Sequence, residues 1–255
     1  MKMGILCVTY RGDADFWRYC HAAIEKFARG FEGVVLAVPE DDFEVFHNYA
    51  SAKVSVRYYR EPKGKGMLNH EAKVCSADQL VPECWDLVLH LDPDCIFTER
   101  VTPEDYLCDG KPILWRELYS SFQDRNPVRY GWRQCVVDAL GIDPPYETMV
   151  RHPAVHFRWL YREFREAVEH NTGRPFLDYV LSCRNEFPQT FAEFPALGAF
   201  AFHRHPEAYH WVDEHLSDLQ PCGWYVPNPG EKLRFFWSHG GFTETIKREI
   251  ESILK

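Results

Sequence analysis

Long apolar runs are missing from this sequence. None of its apolar stretches approaches the roughly 18 to 20 residues that a membrane-spanning helix requires. The opening residues, MKMGILCVTYRGD, reach charged side chains too early for the apolar core of a secretion signal. We therefore expect a cytoplasmic protein without a membrane span.

Paired cysteines and glycine-rich phosphate loops are also missing. The nine cysteines stand singly, without the close pairs of a zinc site or a redox motif. Because their number is odd, a complete set of disulfides is disfavoured, and we expect reduced, buried thiols. Neither the P-loop pattern nor the Rossmann glycine fingerprint occurs, which disfavours kinases and dehydrogenases.

Positive charge is scarce overall but locally enriched. The net charge of -9 over 255 residues disfavours a protein whose whole surface binds nucleic acid. Residues 111–165 nevertheless contain nine lysines and arginines against six acids. Two interpretations stay open for this basic segment: a patch for a polyanionic ligand, or arginines that solvate amphipathic helices. The arginines concerned are Arg116, Arg125, Arg129, Arg133, Arg151 and Arg158.

Strand-like and helical patterns alternate through the first sixty residues. Apolar runs at 3–9, 33–38 and 54–59 predict three strands, and helical spacing predicts a helix through 16–27 and a short one through 43–46. Such alternation is typical of a mainly parallel sheet flanked by helices, in an α/β fold. With 45% hydrophobic residues, residues 1–255 are expected to form a single domain. Ligands of such sheets bind at the carboxyl ends of strands.

The second half is expected to be helical or mixed. Patterns predict helices at 132–140 and 155–170 and strands at 195–202 and 233–237. A strand at 195–202 would send the side chains of His203-Arg204-His205 alternately to opposite faces, so this cluster is not interpreted as a metal site.

The nearly all-apolar run WDLVLHL at 85–91 predicts a central strand covered on both faces, and it ends in Asp92-Pro93-Asp94. Two carboxylates one residue apart can anchor a hard cation such as Mg²⁺ or Mn²⁺, which prefers oxygen ligands beside substrate phosphates. The alternative is an ordinary turn in which each aspartate caps a nearby amide. The position at the end of a β/α series favours a metal site.

The element order, the strand WDLVLHLDPDCIF and the opening ILCVTYRGD resemble GT-A glycosyltransferases. The resemblance covers the first half of the chain and implies a GT-A-like, Rossmann-related fold, with residues 1–110 binding a nucleotide sugar and 111–255 on the acceptor side. By position, it implies that Asp92 and Asp94 bind the cation, with Asp92 also near the ribose or diphosphate. Residues implied to line the nucleotide site are Thr9, Tyr10, Arg11 and Asp13.

Three further residues complete the expected site. His239, in WSHGG, matches a C-terminal histidine that such enzymes often use as a metal ligand. Lys73 is expected to reach a donor phosphate or sugar, or else to be an exposed lysine. Glu193, a lone acid among apolar residues, resembles the acidic position near the acceptor and is the candidate base, or else a surface glutamate.

These observations favour a glycosyltransferase that uses Mn²⁺ or Mg²⁺ to move a sugar from a nucleotide sugar, most simply a UDP-sugar, to a hydroxyl acceptor. The open choices of acceptor are a glycan, a lipid-linked sugar, a metabolite, a protein or a hydroxymethylpyrimidine in phage DNA. Two alternatives stay open: a metal-dependent phosphohydrolase or nucleotidyltransferase with the same aspartates, and a noncatalytic nucleotide-sugar-binding module.

Overall fold

A computed structural model of the chain describes residues 1–123, 126–186, 190–213 and 232–255. The strands are β1 (Met3–Val8), β2 (Val34–Pro39), β3 (Val54–Tyr59), β4 (Leu87–His90), β5 (Cys95–Phe97), β6 (Leu107–Cys108), β7 (Lys111–Leu118), β8 (Tyr146–Glu147), β9 (Ala154–Phe157), β10 (His210–Asp213) and β11 (Leu233–Phe235). The helices are α1 (Ala14–Phe27), α2 (Phe43–Phe46), α3 (Gly66–Val74), α4 (Ala77–Leu80), α5 (Pro127–Leu140), α6 (Arg158–Thr172), α7 (Phe176–Ser182), α8 (Glu193–Arg204) and α9 (Glu244–Ile253).

The central sheet has the strand order β3-β2-β1-β4-β9. β1 is parallel to β2 and to β4, and β2 is parallel to β3. β9 is antiparallel to β4, with Leu87 opposite Phe157. The prediction of an α/β fold with a mostly parallel sheet flanked by helices is therefore confirmed.

Both faces of this sheet are covered, as the apolar character of its strands predicts. Along β1, Leu6 and Val8 belong to one hydrophobic core, whereas Ile5 and Cys7 belong to a second one. Residues of α3 to α8 contribute to the first core, and residues of α1, α2 and α9 to the second. Gly4 is needed at its position in β1, because a Cβ atom there would lie 2.3 Å from the ring of Trp85.

Smaller sheets extend the central one. β7 pairs with β6, β8 and β10, and β11 pairs antiparallel with β5. The register of that last pair sets Phe235 opposite Cys95, one residue after Asp94. The C-terminal part of the chain is thereby placed beside the carboxyl end of β4.

Two predicted elements are wrong. The predicted helix at 155–170 begins with β9, and α6 starts only at Arg158. The predicted strand at 195–202 is part of α8. The interpretation of His203-Arg204-His205 as alternating strand residues is therefore also wrong. Pro195 lies in the first turn of α8, where a missing backbone N–H is tolerated, and residues 194–201 of this helix are buried.

In the parts of the chain that the structure describes, no helix combines the length and apolar character needed to cross a membrane. All eight cysteines in these parts are free, and Cys222 lies outside them.

Candidate functional site

The order of the central sheet reverses at β1, because β2 and β3 lie on one side of it and β4 lies on the other. In open α/β sheets, ligands bind in the crevice outside the carboxyl ends of the two strands at such a switch point. Here the segments that follow β1 and β4 contain Tyr10, Asp13, Asp92 and Asp94, and all four side chains line one cleft of about 900 Å³.

The cleft brings together most of the residues that the sequence singles out. Glu193 at the start of α8 and His239 in the turn Ser238–Gly240 complete its predicted members. Thr9, Arg11 and Lys73 do not line it. Six of the nine predicted site residues therefore face the same space.

Asp94 is fixed by the C-terminal segment. The residue is 4% exposed, and its Oδ2 accepts a hydrogen bond of 2.7 Å from the backbone N–H of Ser238. The backbone N–H of Phe236 donates to the carbonyl of Asp94 at 3.0 Å. Neither bond is the local cap expected of an ordinary Asp-Pro-Asp turn.

Asp92 points into the cleft with 28% of its side chain exposed. Its carbonyl accepts from the N–H of Cys95 at 3.0 Å, which forms the turn between β4 and β5. Burial raises the pKa of Asp92 above its usual range, and burial together with the Asp92 charge raises the pKa of Asp94. The two carboxylates thus oppose each other's ionisation.

Asp13 adds a third carboxylate. Burial, with the nearby charge of Asp94, raises the pKa of Asp13 to about 6, while the charge of His239 acts in the opposite direction. None of the described residues that line the cleft is a lysine or an arginine. No lysine or arginine among those residues therefore offsets the negative charge of the carboxylates. A bound cation would reduce the repulsion between them.

His152 lies close to this group, with its Nδ1 3.9 Å from Oδ2 of Asp92. Burial lowers the pKa of His152 to about 4, so the ring is neutral at physiological pH and the contact is no ion pair. Across residues 1–123, 126–186, 190–213 and 232–255, no set of three or more His, Cys, Asp and Glu side chains is arranged to hold a metal ion. The assignment of Asp92, Asp94 and His239 as metal ligands stays a prediction.

Glu193 occupies the first position of α8, where the exposed backbone N–H groups favour a negative side chain. Its own backbone N–H acts to lower the pKa of its carboxyl group, but burial dominates and raises this pKa to about 7. A carboxyl group in this range can accept a proton near neutral pH, as a general base requires.

The other three predicted residues have different surroundings. Thr9 is buried and its backbone N–H donates to Ala37 at 3.0 Å. The guanidinium of Arg11 forms an ion pair with Asp42. Lys73 has its Nζ 5.3 Å from the centre of the Tyr59 ring. The structure therefore does not bring these three side chains to the cleft.

Sequence reasoning missed several residues that line the cleft. On α3, the spacing of Met67, His70 and Glu71 places all three on the cleft-facing side. This i, i+3, i+4 spacing is visible in the sequence, so the three residues could have been predicted to share one helix face. His152 and Trp132 had no such signal, because only the folding of distant segments brings them to the cleft.

Most described arginines of the basic segment have acidic partners within the protein. Arg116 binds Asp213 at 2.7 Å and Arg129 binds Glu147 at 2.8 Å. Arg133 pairs with Asp143. These ion pairs weaken the interpretation of residues 111–165 as an open patch for a polyanion, and Arg125 lies outside the described residues.

Comparison with known proteins gives no family assignment: no protein-family model matches this chain, and no curated protein matches it significantly.

Proposed function

We propose that the protein is a divalent-metal-dependent glycosyltransferase that moves a sugar from a nucleotide sugar, most simply a UDP-sugar, to a hydroxyl acceptor. The observation that supports this most strongly is the position of Asp92 and Asp94 at the carboxyl end of β4, beside the switch point of the sheet. A GT-A-like fold is part of the proposal. A hydroxymethylpyrimidine in phage DNA stays one candidate acceptor among several.

The chemistry of the cleft fits a cation. A nucleoside diphosphate is anionic, and the described lining has the carboxylates of Asp13, Asp92 and Asp94 but neither lysine nor arginine. Oxygen ligands of this kind suit Mg²⁺ or Mn²⁺, with the imidazole of His239 as a further ligand for Mn²⁺. When bound, the cation would offset the negative charge that develops on the departing diphosphate.

The protein's own groups account for binding and proton transfer. In an inverting transfer, the acceptor oxygen bonds to the anomeric carbon as the bond from that carbon to the diphosphate oxygen breaks. The bonding electrons leave with the nucleoside diphosphate. The acceptor hydroxyl proton passes to the carboxylate of Glu193, whose pKa of about 7 leaves a useful ionised fraction at neutral pH.

Aromatic side chains at the cleft supply a surface for the nucleoside. Tyr10 is 51% exposed and Trp237 is 41% exposed, and both line the cleft. The Tyr10 ring lies against Gly12, where a Cβ atom would approach it to 2.5 Å. Stacking of a base on such rings is favourable and tolerates different bases.

The experiment is a donor screen. Purified protein is incubated with Mn²⁺ and a panel of UDP-sugars, and released UDP is measured with and without chelator. We expect slow release from at least one donor, dependent on metal and abolished in Asp94→Ala. Asp86→Asn is the matched control, because Asp86 precedes the same strand and accepts a hydrogen bond from the Lys2 N–H at 2.7 Å. Full metal-dependent release by Asp94→Ala would overturn the assignment.

The products separate this proposal from its alternative. A transferase yields UDP and a transferred or hydrolysed sugar. A phosphohydrolase or nucleotidyltransferase would break the diphosphate instead and yield UMP with a sugar phosphate. Binding of UDP without turnover across the whole donor panel would identify a noncatalytic binding module.

A further inference from the structure

A second buried acid lies in the same cleft as Glu193 and has no role in the proposed transfer. Glu71 of α3 lines the cleft, yet the residue is only 6% exposed. Its Oε2 atom has no hydrogen-bond partner among the described residues. A buried carboxyl oxygen without a partner carries a substantial free-energy penalty, which a bound ligand would remove.

A second unpartnered group faces the same space. Thr190 lines the cleft three residues before Glu193, and the part of the chain that the structure describes offers its buried Oγ1 no hydrogen-bond partner. Helix α3 packs against α8, and Glu71, Thr190 and Glu193 all line the same cleft. Three polar groups, one from α3 and two from the start of α8 and the segment before it, are therefore brought to one part of the cleft.

The walls of this region are apolar and aromatic. Trp132, Met149, Phe191 and Phe194 line the cleft beside the polar groups. A sugar ring, or a similar ring with hydroxyl substituents, has apolar C–H faces and polar edges. Such a ring can pack its face against these side chains while its hydroxyl groups reach the carboxyl groups.

We infer that the region between α3 and the start of α8 binds a neutral, hydroxyl-bearing ring of the acceptor, and that Glu71 positions this ring for transfer. This inference rests on the proposed function, since it names the acceptor chemistry of the same cleft. Glu71 holds a hydroxyl group other than the reacting one, and Glu193 receives the proton.

Charge decides between the possible ring types. Burial raises the pKa of Glu71 well above its usual range, and the Glu193 charge acts in the same direction. A protonated carboxyl group both donates and accepts hydrogen bonds, which matches a neutral hydroxyl group. An anionic ring substituent would meet two acids, and an ammonium group would require Glu71 to ionise in a buried site.

The test measures ligand binding separately from turnover. Saturation-transfer NMR with the full chain compares glucose, maltose and 5-hydroxymethyl-2′-deoxyuridine as neutral probes with glucose 6-phosphate and glucuronate as anions and glucosamine as a cation. UDP with Mn²⁺ is titrated into the same wild-type protein. Glu71→Gln, Glu71→Ala and Thr190→Val are compared with Glu44→Gln. Glu44 is an exposed glutamate of α2 that does not line the cleft.

We expect at least one neutral probe to bind, the charged probes to bind more weakly, and Glu71→Ala to weaken neutral binding by roughly tenfold, as loss of a buried hydrogen bond predicts. Glu71→Gln keeps part of the affinity, Thr190→Val loses some, and Glu44→Gln stays within about twofold of wild type. Thermal unfolding shows which variants are folded, so each comparison uses folded protein.

The outcomes separate the two proposals. UDP binding without binding of any neutral probe overturns the inference and leaves the proposed function standing. Equal or tighter binding of the anions or of glucosamine also overturns it, as does unchanged neutral binding in folded Glu71→Ala and Thr190→Val. If a neutral probe binds in a way that depends on Glu71 but the protein binds no UDP, the inferred ring-binding region is supported and the proposed UDP-sugar donor is contradicted.

Discussion

The Oδ2 atom of Asp94 accepts a 2.7 Å hydrogen bond from the backbone N–H of Ser238, a residue 144 positions later in the chain. This bond joins the carboxyl end of β4 to the turn that contains His239. One carboxylate thus serves two purposes: it holds the C-terminal segment in place, and it is a proposed ligand of the donor's cation.

Two substitutions of Asp94 separate these functions. Asp94→Asn keeps an oxygen acceptor for the Ser238 N–H and removes the charge repulsion with Asp92, so we expect its free energy of unfolding to equal or exceed that of wild type. Asp94→Ala leaves the N–H without its acceptor and should lower that free energy by about 1 to 3 kcal/mol. Denaturant unfolding measures both, and equal stability of the two variants would contradict the structural function.

Glu193 predicts a pH dependence of stability. Burial raises its pKa from the usual 4.5 to about 7 in the folded protein. Between these values the folded protein keeps a proton that the unfolded chain has lost, so stability falls as pH rises through this window. Over the same pH range, the free energy of unfolding of Glu193→Gln should fall less than that of wild type. The difference between the two losses should be roughly 3 kcal/mol at most.

Unfolding curves at several pH values test this prediction. Because Asp13 and Glu71 also have raised pKa values, the quantity to compare is the difference between variant and wild type. Glu207→Gln, an exposed glutamate beyond the end of α8, is the control and should follow wild type. Parallel pH profiles for wild type and Glu193→Gln would show that Glu193 is not protonated by burial.

A buried ion pair supports one wall of the cleft. Arg129 of α5 binds Oε2 of Glu147 at 2.8 Å, and both side chains are almost completely buried. Arg129→Met leaves the Glu147 charge without this partner and should cost about 3 to 5 kcal/mol of stability. The double variant with Glu147→Leu should recover part of this loss. A single variant as stable as wild type in denaturant unfolding would contradict the importance of the pair.

The exposed ring of Tyr10 predicts a contribution to nucleotide binding. Tyr10→Ala should weaken UDP binding in the presence of Mn²⁺ by roughly tenfold, since stacking of a base on an aromatic ring is worth about 1 to 3 kcal/mol. Trp159→Ala is the matched control, because Trp159 is an exposed aromatic residue that does not line the cleft. Calorimetric affinities that fall equally in both variants would contradict a specific contact.

Local patterns were enough to predict most of the fold of the first half of the chain. Apolar strands alternate with amphipathic helices there, and the carboxyl ends of parallel strands meet at one edge, which predicts a ligand site after β1 and β4. The resemblance to GT-A glycosyltransferases implied that Tyr10, Asp13, Asp92 and Asp94 belong to that site, and all four line the cleft. Lys73 shows the limit of that reasoning. Its Nζ lies 5.3 Å from the centre of the Tyr59 ring, and the sequence does not reveal that contact.

The fold of the second half of the chain could not be predicted as well, because a segment that is buried on all sides shows no hydrophobic periodicity. The run at 195–202 is apolar throughout, and a buried helix and a buried strand look alike in such a run. In the structure it packs as part of α8, with Gly198 so near that a Cβ atom would lie 2.1 Å from Thr148 Oγ1. His152 reaches the cleft through long-range folding, which no local pattern records.

The most direct test of the central claim is the affinity of UDP for the wild-type protein, measured by titration calorimetry with Mn²⁺ and again with a chelator. The carboxylates of Asp92 and Asp94 face a cleft whose described lining includes neither lysine nor arginine, so we expect binding with Mn²⁺ and at least roughly hundredfold weaker binding without it. The same UDP affinity in both conditions would contradict a metal-dependent nucleotide site at these aspartates.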